Sequence, residues 1–194
     1  MSTSLAPTRQ MDVVEFLAWT EAQPDDRYEL VDGEIVAMTR DTVGHNLAKA
    51  WAWRALDDAV RTAGLSCGVL VDGVGVAIGD NTVRIPDVLV QCGTEPDPDS
   101  VLIESPLVVV EVVSRSSERD DTDSKLVEYF SVASIAHYLI IFPKKRVVVH
   151  HQRNERGTLD TRIVSEGDID LSPPGMTVTF AALLGPSPPG HPRV

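Results

Sequence analysis

The sequence predicts an α/β fold: a mixed β-sheet flanked by helices, with additional antiparallel hairpins. Three observations predict it. Pro106 to Val113 (PLVVVEVV) is a nearly continuous β-branched run, the pattern of a strand buried on both faces. Thr42 to Ala63 and Asp120 to Phe130 carry apolar residues at helical spacing. Asp32-Gly33 between two apolar runs is a tight-hairpin signal.

Taken in order, Met1 to Gln10 is polar and reads as a flexible tail (residues 1–10). Asp12 is a suitable N-cap for a short helix, Val13 to Thr20, with Phe16 and Leu17 inward and Pro24-Asp25-Asp26 ending it. Arg27 to Val31 and Glu34 to Thr39 are the hairpin arms. The long helix, Thr42 to Ala63, uses Leu47, Trp51, Leu56 and Val60 as its apolar stripe, and Gly64 stops it. Cys67 to Val71, Gly73 to Ile78, Thr82 to Pro86 and Val88 to Gln91 are extended, and Glu95 to Asp99 is a loop. After the Pro106 strand comes the second helix, with Leu126, Val127 and Phe130 apolar. His137 to Phe142, Arg146 to His151 and Thr161 to Val164 are strands. Pro173-Pro174-Gly175 is a turn, and Thr177 to Leu184 is a short strand and helical turn. The strand–helix–strand section from Pro106 to Phe142 calls for a right-handed crossover within the sheet. Residues 11–185 are thus expected to form a single domain, and the Pro-rich residues 186–194 a C-terminal tail.

Composition narrows the function classes. The chain has 194 residues, 43% of them hydrophobic and 24% charged, an ordinary globular balance. No apolar run approaches the roughly 20 residues of a membrane span, so no membrane partner is expected. Met1 to Gln10 has no apolar core of a secretory signal. Cys67 and Cys92 fit no metal-ligand spacing and are expected as reduced, partly buried residues of a cytoplasmic protein. The net charge of −12 opposes a polyanionic partner unless a metal ion neutralises a carboxylate pocket. Nucleophile-elbow, phosphate-loop and HExxH signatures are absent from the sequence.

The residues with chemical promise are acids in costly places. Glu111 interrupts an apolar strand, where a carboxylate is expensive unless paired or metal-bound; a sheet-edge Glu facing water is the competing reading. Asp87 follows Pro86, which ends ladder pairing and lets the acid project from a strand end. Carboxylates on adjacent strands make an oxygen site for a hard cation such as Mg²⁺ or Mn²⁺. Asp121, Lys125 and Tyr129 share one helix face at i, i+4 and i+8, so Lys125 can reach back toward those acids or form a solvated pair with Asp121. Alternation in Tyr28-Glu29-Leu30-Val31 sets Glu29 beside Val31, a hint of an inward carboxylate. His45 starts the long helix, where a cap or surface role competes with a site role. His150-His151 near a strand end reads as surface.

In their order and spacing, Tyr28-Glu29-Leu30-Val31-Asp32-Gly33-Glu34, Gly44-His45, Pro86-Asp87, Val110-Glu111-Val112-Val113-Ser114 and Asp121, Lys125, Tyr129 resemble the Uma-type family of restriction endonucleases in the PD-(D/E)XK nuclease superfamily, from about Met11 to Leu184. The resemblance implies a restriction-endonuclease-like core. It implies metal binding by Asp87, Glu111 and the Val112 carbonyl, and catalysis by Asp87, Glu111 and Lys125, with Glu29, His45, Asp121 and Tyr129 in support. It further implies a nucleic-acid substrate, DNA foremost, and a homodimer. Val113 occupies the position where the superfamily places its lysine, and Arg115 stands where relatives carry proline. Two other functions fit the same residues: a non-catalytic interaction module on this scaffold, and a metal-dependent hydrolase of small phosphoesters.

Overall fold

The computed structural model describes residues 10–23, 26–113 and 122–186, apart from the side chains of Thr122 and Asp123. The expected tails other than Gln10 and Pro186, together with Pro24, Asp25, Ser114, Arg115, Asp120 and Asp121, lie outside the described residues.

The N-terminal part is a helix and a small sheet. Helix α1 (Val13–Thr20) is capped by Asp12, whose carboxylate accepts from the Glu15 N–H while Glu15 reaches back to the Asp12 N–H. Strands β1 (Tyr28–Val31) and β2 (Glu34–Ala37) form the predicted hairpin. Asp32 and Gly33 both take positive φ, 49° and 82°, which the tight turn requires. Helix α2 (Val43–Thr62) follows, then β3 (Cys67–Val71), β4 (Val76–Ile78), β5 (Thr82–Arg84) and β6 (Val88–Cys92). The small sheet has the order β2-β1-β5-β4.

The main sheet is six-stranded. It adds β7 (Pro106–Val112), β8 (His137–Phe142), β9 (Val147–Arg153) and β10 (Leu159–Val164), in the order β10-β9-β8-β7-β6-β3. All pairs are antiparallel except β7 with β8, which run parallel because α3 (Thr122–Ser131) lies between them in the chain. The sheet is therefore mixed, as the strand–helix–strand section predicts. A last hairpin, β11 (Asp168–Leu171) with β12 (Met176–Thr179), leads into α4 (Phe180–Leu184).

Alternation along β7 divides the interior. Val108, Val110 and Val112 pack with α2, α4 and the last hairpin, whereas Val109 packs with Tyr129 and Phe130 of α3 and with Val76 and Ile78 of β4. Glu111 shares the Val109 face by strand alternation. The β6–β7 register pairs Val88 with Val110, so one step further sets Asp87 opposite Glu111 on that same face. The core thus brings two acids to one end of the main sheet.

Four expectations are corrected. Cys67 and Cys92 form a disulfide, because the β3–β6 register places them directly opposite each other; register is a tertiary property that spacing along the chain does not reveal. His150 and His151 are buried, at 1% and 9% exposure, since β9 is an interior strand flanked by β8 and β10. Leu47 is 53% exposed, and α2 instead buries a lane of alanines (Ala48, Ala52, Ala55, Ala59) with Leu56 and Val60. Val127 is 72% exposed, and the buried face of α3 is carried by Tyr129 and Phe130. Strand β11 was not anticipated, although its Asp-Ile-Asp-Leu alternation matches the observed burial of Ile169 and Leu171.

Candidate active site

A cleft of about 540 Å³ opens where the small sheet, the start of α2, the Asp87–Glu111 end of the main sheet and α3 meet. Charged side chains dominate its wall: Glu29, Asp41, Asp87, Glu111 and Glu128 against Arg27, His45, Lys49, Arg84 and Lys125.

Pro86 removes a ladder donor just before β6, and Asp87 turns into the cleft with 7% exposure. Its Oδ2 accepts the Val112 N–H at 2.7 Å, which ties the Asp87 side chain to the residue after Glu111. Glu111 Oε1 accepts from Lys125 Nζ at 3.1 Å and from the Tyr129 hydroxyl at 2.8 Å. The i,i+4 spacing of Lys125 and Tyr129 therefore serves one carboxylate oxygen. Burial pushes the Glu111 carboxyl up to about 7; Lys125 works against that rise, and the charges of Asp87 and Glu29 add to it. Tyr129 is held well above its ordinary value by burial and by the Glu111 charge, so its phenol stays a donor.

Glu29 is buried and fully engaged. Its Oε2 accepts from Arg84 Nη1 at 3.0 Å, its Oε1 accepts the Ile85 N–H at 3.0 Å, and Lys125 Nζ lies 3.9 Å away. Arg84 also grips Glu128 of α3 through Nε (2.6 Å) and Nη2 (3.0 Å), a two-pronged ion pair that ties the small sheet to α3.

His45 opens α2, whose N-cap is Thr42. Its Nδ1 lies 2.7 Å from Asp41 Oδ1, and its Nε2 lies 2.8 Å from the Val112 carbonyl and 3.4 Å from Asp87 Oδ2. Both ring nitrogens face acceptors, so both carry protons. The interaction with Asp87, with help from Asp41, raises the imidazole to about 9 against the cost of burial. One turn along, Lys49 is 2% exposed and bonds Asp41, with Asp72 at 3.1 Å and Asp87 at 3.4 Å. Arg27 closes this network at 2.5 Å from Asp72.

The structure thus gathers Asp87, Glu111, Val112, Lys125, Glu29, His45 and Tyr129 around one cleft. Asp121 is outside the described residues. Arg84, Lys49, Asp41, Asp72, Arg27 and Glu128 were not anticipated. The i, i+4, i+8 spacing of Asp41, His45 and Lys49 is the one signal in the sequence that could have found part of this set.

Two carboxylates on neighbouring antiparallel strands, a parallel crossover through α3, and a lysine from that helix define a restriction-endonuclease-like α/β protein. The chain belongs to the Uma2 family, whose description is "putative restriction endonuclease" and whose model matches residues 13–183. It is similar to a crystal structure described as a "putative nuclease belonging to DUF820" from Anabaena variabilis, with a TM-score of 0.70 over 90% of this chain and 97% of that one. At 13% identity that likeness is one of fold. It is also 28% identical over 162 residues to an uncharacterized protein of Synechocystis, slr1290, covering 78% of this chain and 79% of the relative.

Proposed function

We propose that this protein is a metal-dependent nuclease that hydrolyses phosphodiester bonds of DNA, with residues 11–185 as its catalytic domain. The observation that carries the proposal is the convergence on Glu111. Its carboxylate meets an ammonium and a phenol from α3, while the neighbouring Val112 N–H holds Asp87 at 2.7 Å.

The donors fit a hard divalent cation. Asp87, Glu111 and the Val112 carbonyl are all oxygen ligands, the set that Mg²⁺ and Mn²⁺ prefer. Among the described residues no group of three or more His, Cys, Asp and Glu side chains is placed to hold a metal ion, so the proposed ligand set is two carboxylates and one carbonyl, with waters completing the coordination. Burial is the main reason that Glu111 is raised to about 7, and the charges of Asp87 and Glu29 add to it; a bound cation would offset both. When bound, the ion supplies a water of lowered pKa and positive charge for the departing oxygen.

The chain's own groups do the rest. Lys125 holds a positive charge beside Glu111, where it can donate to a water or a phosphate oxygen. Tyr129 fixes the Glu111 carboxylate through its hydroxyl, which limits wandering of the Lys125 contact. His45 and Lys49 steady Asp87 from the α2 side and Val112 from β7, so three residues on two elements hold the acid. Glu29 is saturated by Arg84 and Ile85 and acts on the site by its charge, 3.9 Å from Lys125.

The test compares supercoiled DNA, RNA and a small phosphodiester as substrates of the wild type and of Glu111→Gln, with Mg²⁺, Mn²⁺ or chelator. DNA cleavage that needs metal and disappears in Glu111→Gln is expected. Cleavage undiminished in the folded variant, or hydrolysis of the small ester alone, would overturn the proposal.

A further inference from the structure

Of the two edge strands of the main sheet, β10 and β3, β10 has five of its six residues exposed. Which backbone groups face outward follows from its neighbour. The Arg153 N–H donates to the Ala136 carbonyl at 2.9 Å, toward β8, and the Asn154 N–H donates to the Thr158 carbonyl at 2.9 Å, on the β10 side. Alternation along β9 then turns Gln152, His150 and Val148 toward β10, and their partners Asp160, Arg162 and Val164 toward β9. The N–H and C=O groups of Leu159, Thr161 and Ile163 point away from the sheet. They form a strand-pairing template with no proline among them.

The side chains choose what can pair there. A second copy of β10, antiparallel and related by a two-fold axis at Thr161, sets Asp160 opposite Arg162 of that copy, twice. It also sets Leu159 opposite Ile163 of that copy, twice. Leu159 and Ile163 are 38% and 75% exposed, so both apolar pairs would gain cover. The Asn154 amide donates to Asp160 Oδ1 at 3.2 Å and holds that carboxylate at the edge. Shifting the axis by one residue either way puts Asp160 opposite Asp160 or Arg162 opposite Arg162. Like charges directly opposite disfavour pairing and unlike charges favour it, so the two charges admit the Thr161 register and resist its neighbours.

We propose that β10 is a self-complementary docking edge, through which two copies of this chain join their six-stranded sheets in the Thr161-centred register. The proposal stands whether or not the cleft is catalytic.

Sedimentation velocity of the full chain across the micromolar range tests it, with thermal midpoints as the folding control. The wild type should associate to a dimer. Asp160→Arg and Arg162→Asp, each at an exposed position, should fold normally and weaken self-association by about tenfold or more. Mixing the two single variants should restore association, because each then meets its opposite charge, and the double swap Asp160→Arg/Arg162→Asp should dimerise like the wild type. A wild type that stays monomeric throughout would overturn the proposal. So would single variants that self-associate as tightly as the wild type, or mixtures and a double swap that fail to recover.

Discussion

Lys125 Nζ lies 3.1 Å from Glu111 Oε1, although one residue belongs to α3 and the other to the strand before it. The contact closes over 14 residues of chain and joins the only acid of β7 to the crossover helix. If the cleft is catalytic, its charge balance depends on that contact. Lys125→Met should lower phosphodiester cleavage by about 10²–10³-fold, the usual cost of removing one electrostatic stabiliser. Glu111→Gln should lose activity at least as far while its thermal midpoint holds or rises, because a desolvated carboxylate has been neutralised. A Lys125→Met enzyme that retains wild-type kcat would remove the lysine from the mechanism.

Asp87 and Glu29 should separate under metal titration. Asp87 has partners on two elements, α2 and β7, and is an expected ligand, whereas both Glu29 oxygens are already bonded to Arg84 and Ile85. Calorimetry with Mn²⁺ should show affinity falling in Asp87→Asn by more than the roughly 10–100-fold that losing an outer-shell partner costs, and changing little in Glu29→Gln. Equal losses in the two variants would mean that Glu29 ligates the ion.

Arg84 is 3% exposed and serves two glutamates. Arg84→Ala leaves Glu29 buried beside Glu111 with its main counter-ion gone. Breaking a buried pair from one side costs roughly 3–5 kcal/mol, so the urea midpoint should drop strongly. Arg84→Lys should recover part of it, since one ammonium cannot copy the two-pronged grip on Glu128. A loss under about 1 kcal/mol in Arg84→Ala would place the network among weak surface pairs.

Local signals explain what the sequence discloses here. The Asp12 cap, the Asp32-Gly33 hairpin, the alanine-rich α2 and the valine run of β7 are each specified within a few residues, so their elements are legible. Glu111 and Asp87 stand out because a lone acid in an apolar strand and an acid after proline break a local pattern. Arg84 does not stand out: a basic residue in a short strand reads as a solvated charge until a partner 44 residues away, Glu128, is brought to it. The same holds for Cys67 with Cys92 and for the burial of His150. Each depends on which strand lies alongside, and that is decided by the whole sheet.

The buried pair His137 and His150 predicts an acid-sensitive fold. His137 Nδ1 lies 2.9 Å from His150 Nε2, and His137 Nε2 lies 2.8 Å from the Pro173 carbonyl, tying β8 and β9 to the turn between β11 and β12. With one proton shared along each contact, both rings are neutral. Burial lowers His137 and, helped by the charge of His137, pushes His150 down to about 4 from an ordinary 6.5. Below pH 6.5 the unfolded chain takes up a proton that the native state refuses until about pH 4. Stability from this pair is therefore complete above 6.5 and lost as the pH falls toward 4, on the order of 1–2 kcal/mol by pH 5. Glu111 works in the opposite sense, since its raised carboxyl favours the native state as the pH falls from about 7. His45, raised to about 9, stays charged throughout this window in the folded chain. The difference between wild type and His150→Gln cancels both and isolates the pair. Urea midpoints at pH 7.5 and pH 5 should show the wild type losing more stability than His150→Gln; equal losses would mean that the imidazoles take up protons within the fold.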